Sequence, residues 1–247
     1  MAKTTDTIWR VNEIDIPVRV VQEWRKSNRI AINKDKVILR VPIIGGTVLK
    51  ESSKAWAINW ISQQLCAHPE IKKRFLVKEY QSGDLVNLPN KTYRLKLLSQ
   101  ERKTSMARLI DHDTIEIKYN NTIREKHKRS KTIGSLVSRI VGQDQLLRVT
   151  HRIAELNDQF FQECIERVRL KNNKSNWGSC SSSGNINIST RTLLAPLEVQ
   201  DYVFVHELAH LKELNHSAKY WSLVESVMPN YKEHETWLKT YGHTCSY

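Results

Sequence analysis

His206, Glu207 and His210 form a His-Glu-x-x-His run, and His216 follows six positions after the second histidine. Two imidazoles spaced i, i+4 lie on one face of a helix, one turn apart. The helix that carries them, expected near 197–214, is apolar around most of its circumference: Val199, Tyr202, Phe204, Val205, Leu208, Leu211. A helix apolar nearly all round is a buried one. Two imidazoles and a carboxylate inside it would cost several kcal/mol (about 2–7 per group) if left without partners. A shared cation removes that cost, so this segment demands a metal-binding fold packed on both sides of one helix.

His216 lies ten residues beyond His206, about 15 Å of rise in an unbroken helix, too far to share one ion. The chain is therefore expected to turn after Leu214, with Asn215 in the left-handed conformation that ends a helix and Ser217 capping the next. His216 then folds back as third ligand; Glu225 on the following helix is the substitute if it does not. Three neutral imidazoles leave a tetrahedral Zn2+ one open position for water, whose pKa falls to about 7. Glu207 is placed to take that proton and pass it to a leaving group. The expected chemistry is Glu-assisted attack of zinc-bound water on a carbonyl, or less often on a phosphoryl centre. Nickel, cobalt and manganese are also compatible with the donor set.

The rest of the chain reads as α+β. The first half is mostly β with one helix. Strands are expected at Val18–Trp24, Arg29–Asn33, Val37–Val41, Tyr93–Leu97 and Thr114–Tyr119. Lys34–Lys36 reads as a hairpin turn, and Pro42 with Gly45–Gly46 ends that region. A helix capped by Ser52 or Ser53 runs to about Ala67, with Trp56, Trp60, Ile61 and Leu65 as its core stripe. Helical periodicity resumes after 122, with Gly142 as a break between two helices. Ile165–Leu170 and Asn185–Ser189 read as a hairpin-like pair around a polar loop, and helices near 217–228 and 231–241 close the chain. No internal repeat is evident. The expected organisation is a mostly β accessory region over 1–122 and a catalytic domain over 123–247, which can pack as one unit.

Composition narrows the class. No apolar run is long enough for a membrane helix, and the polar N-terminus lacks a secretory pattern, so a cytoplasmic protein is expected. Cys66, Cys164, Cys180 and Cys245 contain no Cys-x-x-Cys pair and read as free thiols, Cys66 in a helix core and Cys180 as packing. A net charge of +13 favours a polyanionic neighbour, nucleotide or nucleic acid. The basic run from Thr122 to Lys131, with Arg124, Lys126, Lys128, Arg129 and Lys131, has no interleaved aromatic and reads as a solvated helix face.

Trp177-Gly178-Ser179-Cys180-Ser181, Asn187-Ile188-Ser189, Val205 to Leu211, Asn215-His216-Ser217 and Tyr220-Trp221 together resemble the YgjP-like metallopeptidase family, a zincin group related to SprT and WLM. The resemblance is strong from about Arg167 to Leu238 and weaker over Arg29 to Ile61. It implies a zincin-like domain with one zinc held by His206, His210 and His216, Glu207 as base, and a protein or peptide substrate. Trp177, Ser179, Asn187 and Tyr220 are then the candidates for substrate binding, although Tyr220 stands where an aromatic is usual and also reads as packing. By analogy the strand Asn185–Ser189 can pair with an extended peptide. The spacing also equals that of metzincins, but their glycine after the second histidine is Glu213 here. Other readings are a zinc-dependent nucleoside-triphosphate pyrophosphatase, or a SprT-like protease acting on nucleic-acid-bound proteins.

Overall fold

The computed structural model describes residues 3–33, 36–43, 49–75, 78–123 and 125–247. Lys34, Asp35, Gly45, Gly46 and Arg124 lie outside the described residues. The chain divides into two compact units, residues 1–78 and 79–247. The division falls at 78/79, so the expected boundary at 122/123 lies inside the second unit.

In the first unit, β1 (Lys3–Val11) and β2 (Ile14–Glu23) form an antiparallel hairpin. Asn12 and Glu13 turn it with φ of 48° and 65°, the paired left-handed residues that a two-residue hairpin loop requires. β3 (Arg29–Ile32) pairs antiparallel with β4 (Val37–Pro42), and β4 runs parallel to β2, giving the order β1-β2-β4-β3. Alternation puts Ile14, Ile16, Val18, Val37 and Leu39 on the inner face. Helix α1 (Glu51–Ala67) covers it with Ala57, Ile61 and Leu65, spaced i, i+4, i+8. The expected tryptophan stripe is only partly internal: Trp60 packs against the core, but Trp56 is exposed. Cys66, expected inside, is exposed too. Ser52 and Ser53 lie within the helix, and its cap position is Lys50. A short helix α2 (Pro69–Phe75) follows.

The second unit opens with the same arrangement. β5 (Leu85–Asn87), β6 (Thr92–Gln100), β7 (Met106–Leu109) and β8 (Thr114–Asn120) form a sheet of order β5-β6-β8-β7, with β6 parallel to β8 and both edges antiparallel. Strand order and strand senses match those of the first sheet, a repeat of topology that the sequence does not show.

Helix α3 (Lys126–Leu156) then runs unbroken. Gly142 does not interrupt it. A Cβ there would meet Thr190 Cγ2 at 2.9 Å, so this glycine serves close packing. Val137, Val141, Val149 and Ile153 face the core that α3 shares with the following elements.

A three-stranded sheet of order β10-β11-β9 comes next, from β9 (Arg167–Lys171), β10 (Gly178–Cys180) and β11 (Asn185–Ser189). β9 and β11 are parallel, not a hairpin; the antiparallel partner of β11 is β10, which lies within the segment expected as a polar loop. Helices α4 (Leu197–Lys212), α5 (Ala218–Val227) and α6 (Tyr231–Tyr241) complete the unit. Among the described residues no helix is long and apolar enough to cross a membrane.

Candidate metal centre

Helix α4 is enclosed as its sequence demands: Val203, Phe204, Val205, Leu208 and Ala209 are buried, and Glu207 is 4% exposed. The turn after it differs in detail from the expectation. α4 ends at Lys212, and Glu213 turns the chain in an extended conformation with φ of −137°. Asn215 takes no left-handed turn; its Oδ1 accepts from the Ser217 amide instead. Ser217 caps α5 by accepting from the Tyr220 amide, as its sequence position predicts. His216 is thereby returned to the face of α4 that carries the other two histidines.

The donor nitrogens of His206, His210 and His216 all lie within 4.8 Å of one another. Nε2 of His206 and Nε2 of His216 are 3.3 Å apart. Two nitrogens on a tetrahedral zinc at 2.0–2.1 Å stand about 3.4 Å apart, so this edge has the span of a coordination polyhedron. His210 Nδ1–H donates to the Glu213 carbonyl at 3.1 Å, which leaves Nε2 with its lone pair free. Burial, reinforced by His210 and His216, pushes the His206 imidazole down to about 4, and burial lowers His210 too. His206 and His210 are thereby favoured in the neutral state that a metal needs. Glu225 is exposed and stands outside this cluster. The residues present therefore fit a cation with nitrogen ligands.

Aromatic rings fix the cluster from below and beside. Tyr220 stacks on His210 at 4.6 Å between centroids, is fully buried, and donates its hydroxyl to the His206 carbonyl. Trp221 stacks on His216 at 5.6 Å and on Tyr231 at 5.3 Å. Tyr202 meets His206 edge-on. Sequence reasoning gave Trp221 no role, although two successive aromatics one turn after the third histidine are a usable signal.

Glu207 points at β10. A Cβ on Gly178 would come within 2.7 Å of Glu207 Cδ, so only glycine leaves space for the carboxylate. Burial pushes the Glu207 carboxyl up to about 8. Cys180 shares that side of β10, and burial with the Glu207 charge raises its thiol to about 11.

The other sequence candidates fall elsewhere. Ser179 is paired with Asn187, and alternation turns both to the sheet face opposite Gly178 and Glu207. Asn187 Nδ2 contacts Ser179 Oγ at 3.3 Å. Trp177 is held by the Arg191 guanidinium, 4.5 Å above its ring, and by Gly242, where a Cβ would meet Trp177 Cζ2 at 2.5 Å. Arg191 in turn donates to the carbonyls of Lys174, Gly242 and Cys245, locking the loop before β10 to the C-terminal segment. Of the four proposed substrate-binding side chains, only Tyr220 touches the histidine cluster. β11 is paired on both sides and has no free edge, whereas β10 has one.

A buried helix bearing two histidines and a glutamate, with a third histidine returned from the next turn, defines a metallopeptidase of the zincin type. The family model for the YgjP-like metallopeptidase domain matches residues 26–241, and the chain belongs to that family. The match begins in the first unit and runs through the second, so residues before 122 are part of the family domain. Family membership makes the protein a metal-dependent hydrolase. Among solved structures, the metallopeptidase zymogen of Pyrococcus abyssi abylysin is similar at 27% identity, over 38% of this chain and 95% of that one, with a TM-score of 0.35. No protein with a curated description matches.

Proposed function

We propose that the chain is a zinc-dependent peptidase that hydrolyses peptide bonds with Glu207 as general base. The observation that carries this reading is the three converging imidazole nitrogens beside one buried carboxylate. His206, His210 and His216 would hold the ion, and the chemistry a bound zinc supplies is polarisation of the scissile carbonyl and acidification of water. Glu207 removes a proton from the attacking water as its oxygen bonds to the carbonyl carbon. The same carboxyl delivers that proton to the nitrogen as the C–N bond breaks. Gly178 keeps the space above the carboxylate open, and Tyr220 holds the helix carbonyl beneath it.

The free edge of β10 supports a peptide substrate. Ser189 N donates to Trp177 O and Ser181 N to Asn185 O, so the backbone of odd-numbered residues faces β11. Gly178 and Cys180 therefore turn their N–H and C=O outward, where an extended chain can add as a strand. The Gly178 carbonyl is held there by Asn176 Nδ2 at 2.9 Å.

Zinc-loaded protein is incubated with an unfolded polypeptide and, separately, with nucleoside triphosphates. Wild type is expected to cleave the polypeptide, and Glu207→Gln to keep zinc but lose about 10²–10⁴ in rate. Triphosphate hydrolysis alone would move the reaction to phosphoryl transfer, and an undiminished Glu207→Gln would remove the proposed base. His216→Ala is expected to lose zinc; unchanged metal content would overturn its assignment as a ligand.

A further inference from the structure

Beyond that reading, the sheet that carries Gly178 has a second face. Val168 and Leu170 of β9 pack against the core, so alternation sends Arg167, Arg169 and Lys171 to the opposite side, where all three are exposed. The register places Asn185 beside Arg167, Asn187 beside Arg169 and Ser189 beside Lys171. Ser179 continues the middle row from β10. No aspartate or glutamate stands at any of these positions in the three strands.

Several other cations of the same unit are paired: Lys91 with Asp144, Arg108 with Glu116 and Arg152 with Asp201. Arg167, Arg169 and Lys171 form no ion pair among the described residues. The strand thus holds three like charges in a line, about 6.6 Å apart, with only amide and hydroxyl groups beside them. Such a row is self-repelling until an anion lies along it. A protein partner would call for an apolar anchor, and none of Arg167, Arg169, Lys171, Asn185, Asn187 and Ser179 is aromatic or aliphatic. Single-stranded nucleic acid would call for rings on which bases stack, and none of these positions carries one. A duplex backbone needs only spaced cations and hydrogen-bond donors to its phosphate oxygens; the Ser179 hydroxyl, which accepts from Asn187, keeps its own O–H to donate.

We propose that the outer face of the β9–β11–β10 sheet binds the sugar–phosphate backbone of duplex nucleic acid, without reading its bases, on the side of the sheet away from Glu207. The inference does not depend on the peptidase reading. Its test is binding of the full chain to a fluorescein-labelled 20-base-pair DNA duplex across a salt series, by fluorescence anisotropy. Arg167→Gln/Arg169→Gln/Lys171→Gln is expected to weaken binding at low salt at least tenfold. It should also flatten the slope of log K against log salt by about 2.7. The control is Lys103→Gln/Lys128→Gln/Lys131→Gln, the same charge change at exposed positions away from this face, which should leave both quantities near wild type. Arg167→Lys/Arg169→Lys, which keeps the charge, should retain the slope. Equal weakening by the two glutamine triples would reduce the effect to net charge and overturn the proposal, as would wild-type levels in both. Displacement of the duplex by polyglutamate at equal charge concentration would reassign the face to acidic proteins.

Discussion

Glu207 owes its working space to a residue with no side chain. Gly178→Ala would press a methyl group into the Glu207 carboxyl, and the buried surroundings leave it little room to yield. The expected result is zinc content equal to wild type with peptidase rate reduced about 10²-fold, since misplacement of a catalytic group by an ångström has that effect. Metal analysis beside initial rates separates this from loss of the ion. The convergence of the three histidines was legible because their placement follows from a helical period and one forced turn. Gly178 and Arg191 were not, because each acts on a partner distant along the chain. For Ser179 and Asn187 a two-residue period says that they share a face, but not which face meets the helix.

At the scale of elements, β1 was not expected from the sequence and α3 was expected in two pieces. α4, α5, α6 and β11 emerge close to their expected bounds. β10 is too short for an alternating pattern, so its three residues looked like loop. Gly142 carried the signature of a break, yet in α3 it admits Thr190, which is itself buried and bonded to Ser138 at 2.7 Å. Gly142→Val is expected to destabilise the second unit by about 1–3 kcal/mol, measured by urea unfolding. A wild-type midpoint would mean that the Thr190 methyl group moves aside freely.

The joint between the second four-stranded sheet and α3 carries a polar, pH-dependent cluster around Asp144. Burial pushes the Asp144 carboxyl up, but hydrogen bonds from Lys91, Tyr93 and Gln145 outweigh it and hold the group below its ordinary 3.8. A carboxyl depressed in the folded state contributes stability that is complete above its unfolded pKa. That contribution is lost as pH falls through the folded value. Acid should therefore weaken the joint below about pH 4, and Asp144→Asn should lower stability at pH 7 while flattening this part of the acid-unfolding profile. An unchanged profile would show that the carboxylate contributes nothing to the joint.

At the scale of the whole molecule, the two units hold separate hydrophobic cores. The candidate ligands all belong to residues 79–247. Zinc that binds only the folded site stabilises it by about 4 kcal/mol at a thousandfold excess over Kd. Chelation is therefore expected to lower the calorimetric transition of the second unit and to leave that of the first in place. A uniform shift of both would show that they unfold as one. The α+β class was legible in the sequence, but the unit boundary was not. Helix α3 makes the composition change near 122, while the sheet before it shares the core of the unit behind it.

The matching strand orders of the two sheets bear on how the chain is synthesised. At about 5–20 residues per second, roughly 2–9 s separate the emergence of Pro42, the end of β4, from that of Leu85, the start of β5. On the ribosome the first sheet can close its hydrogen bonds before strands of the same order emerge, so each set finds its own neighbours. Diluted from denaturant, both sets are unpaired together, and β2 can meet β8 as well as β4, although the longer loop disfavours the wrong pair. Vectorial synthesis thus removes a competition that refolding in a test tube imposes.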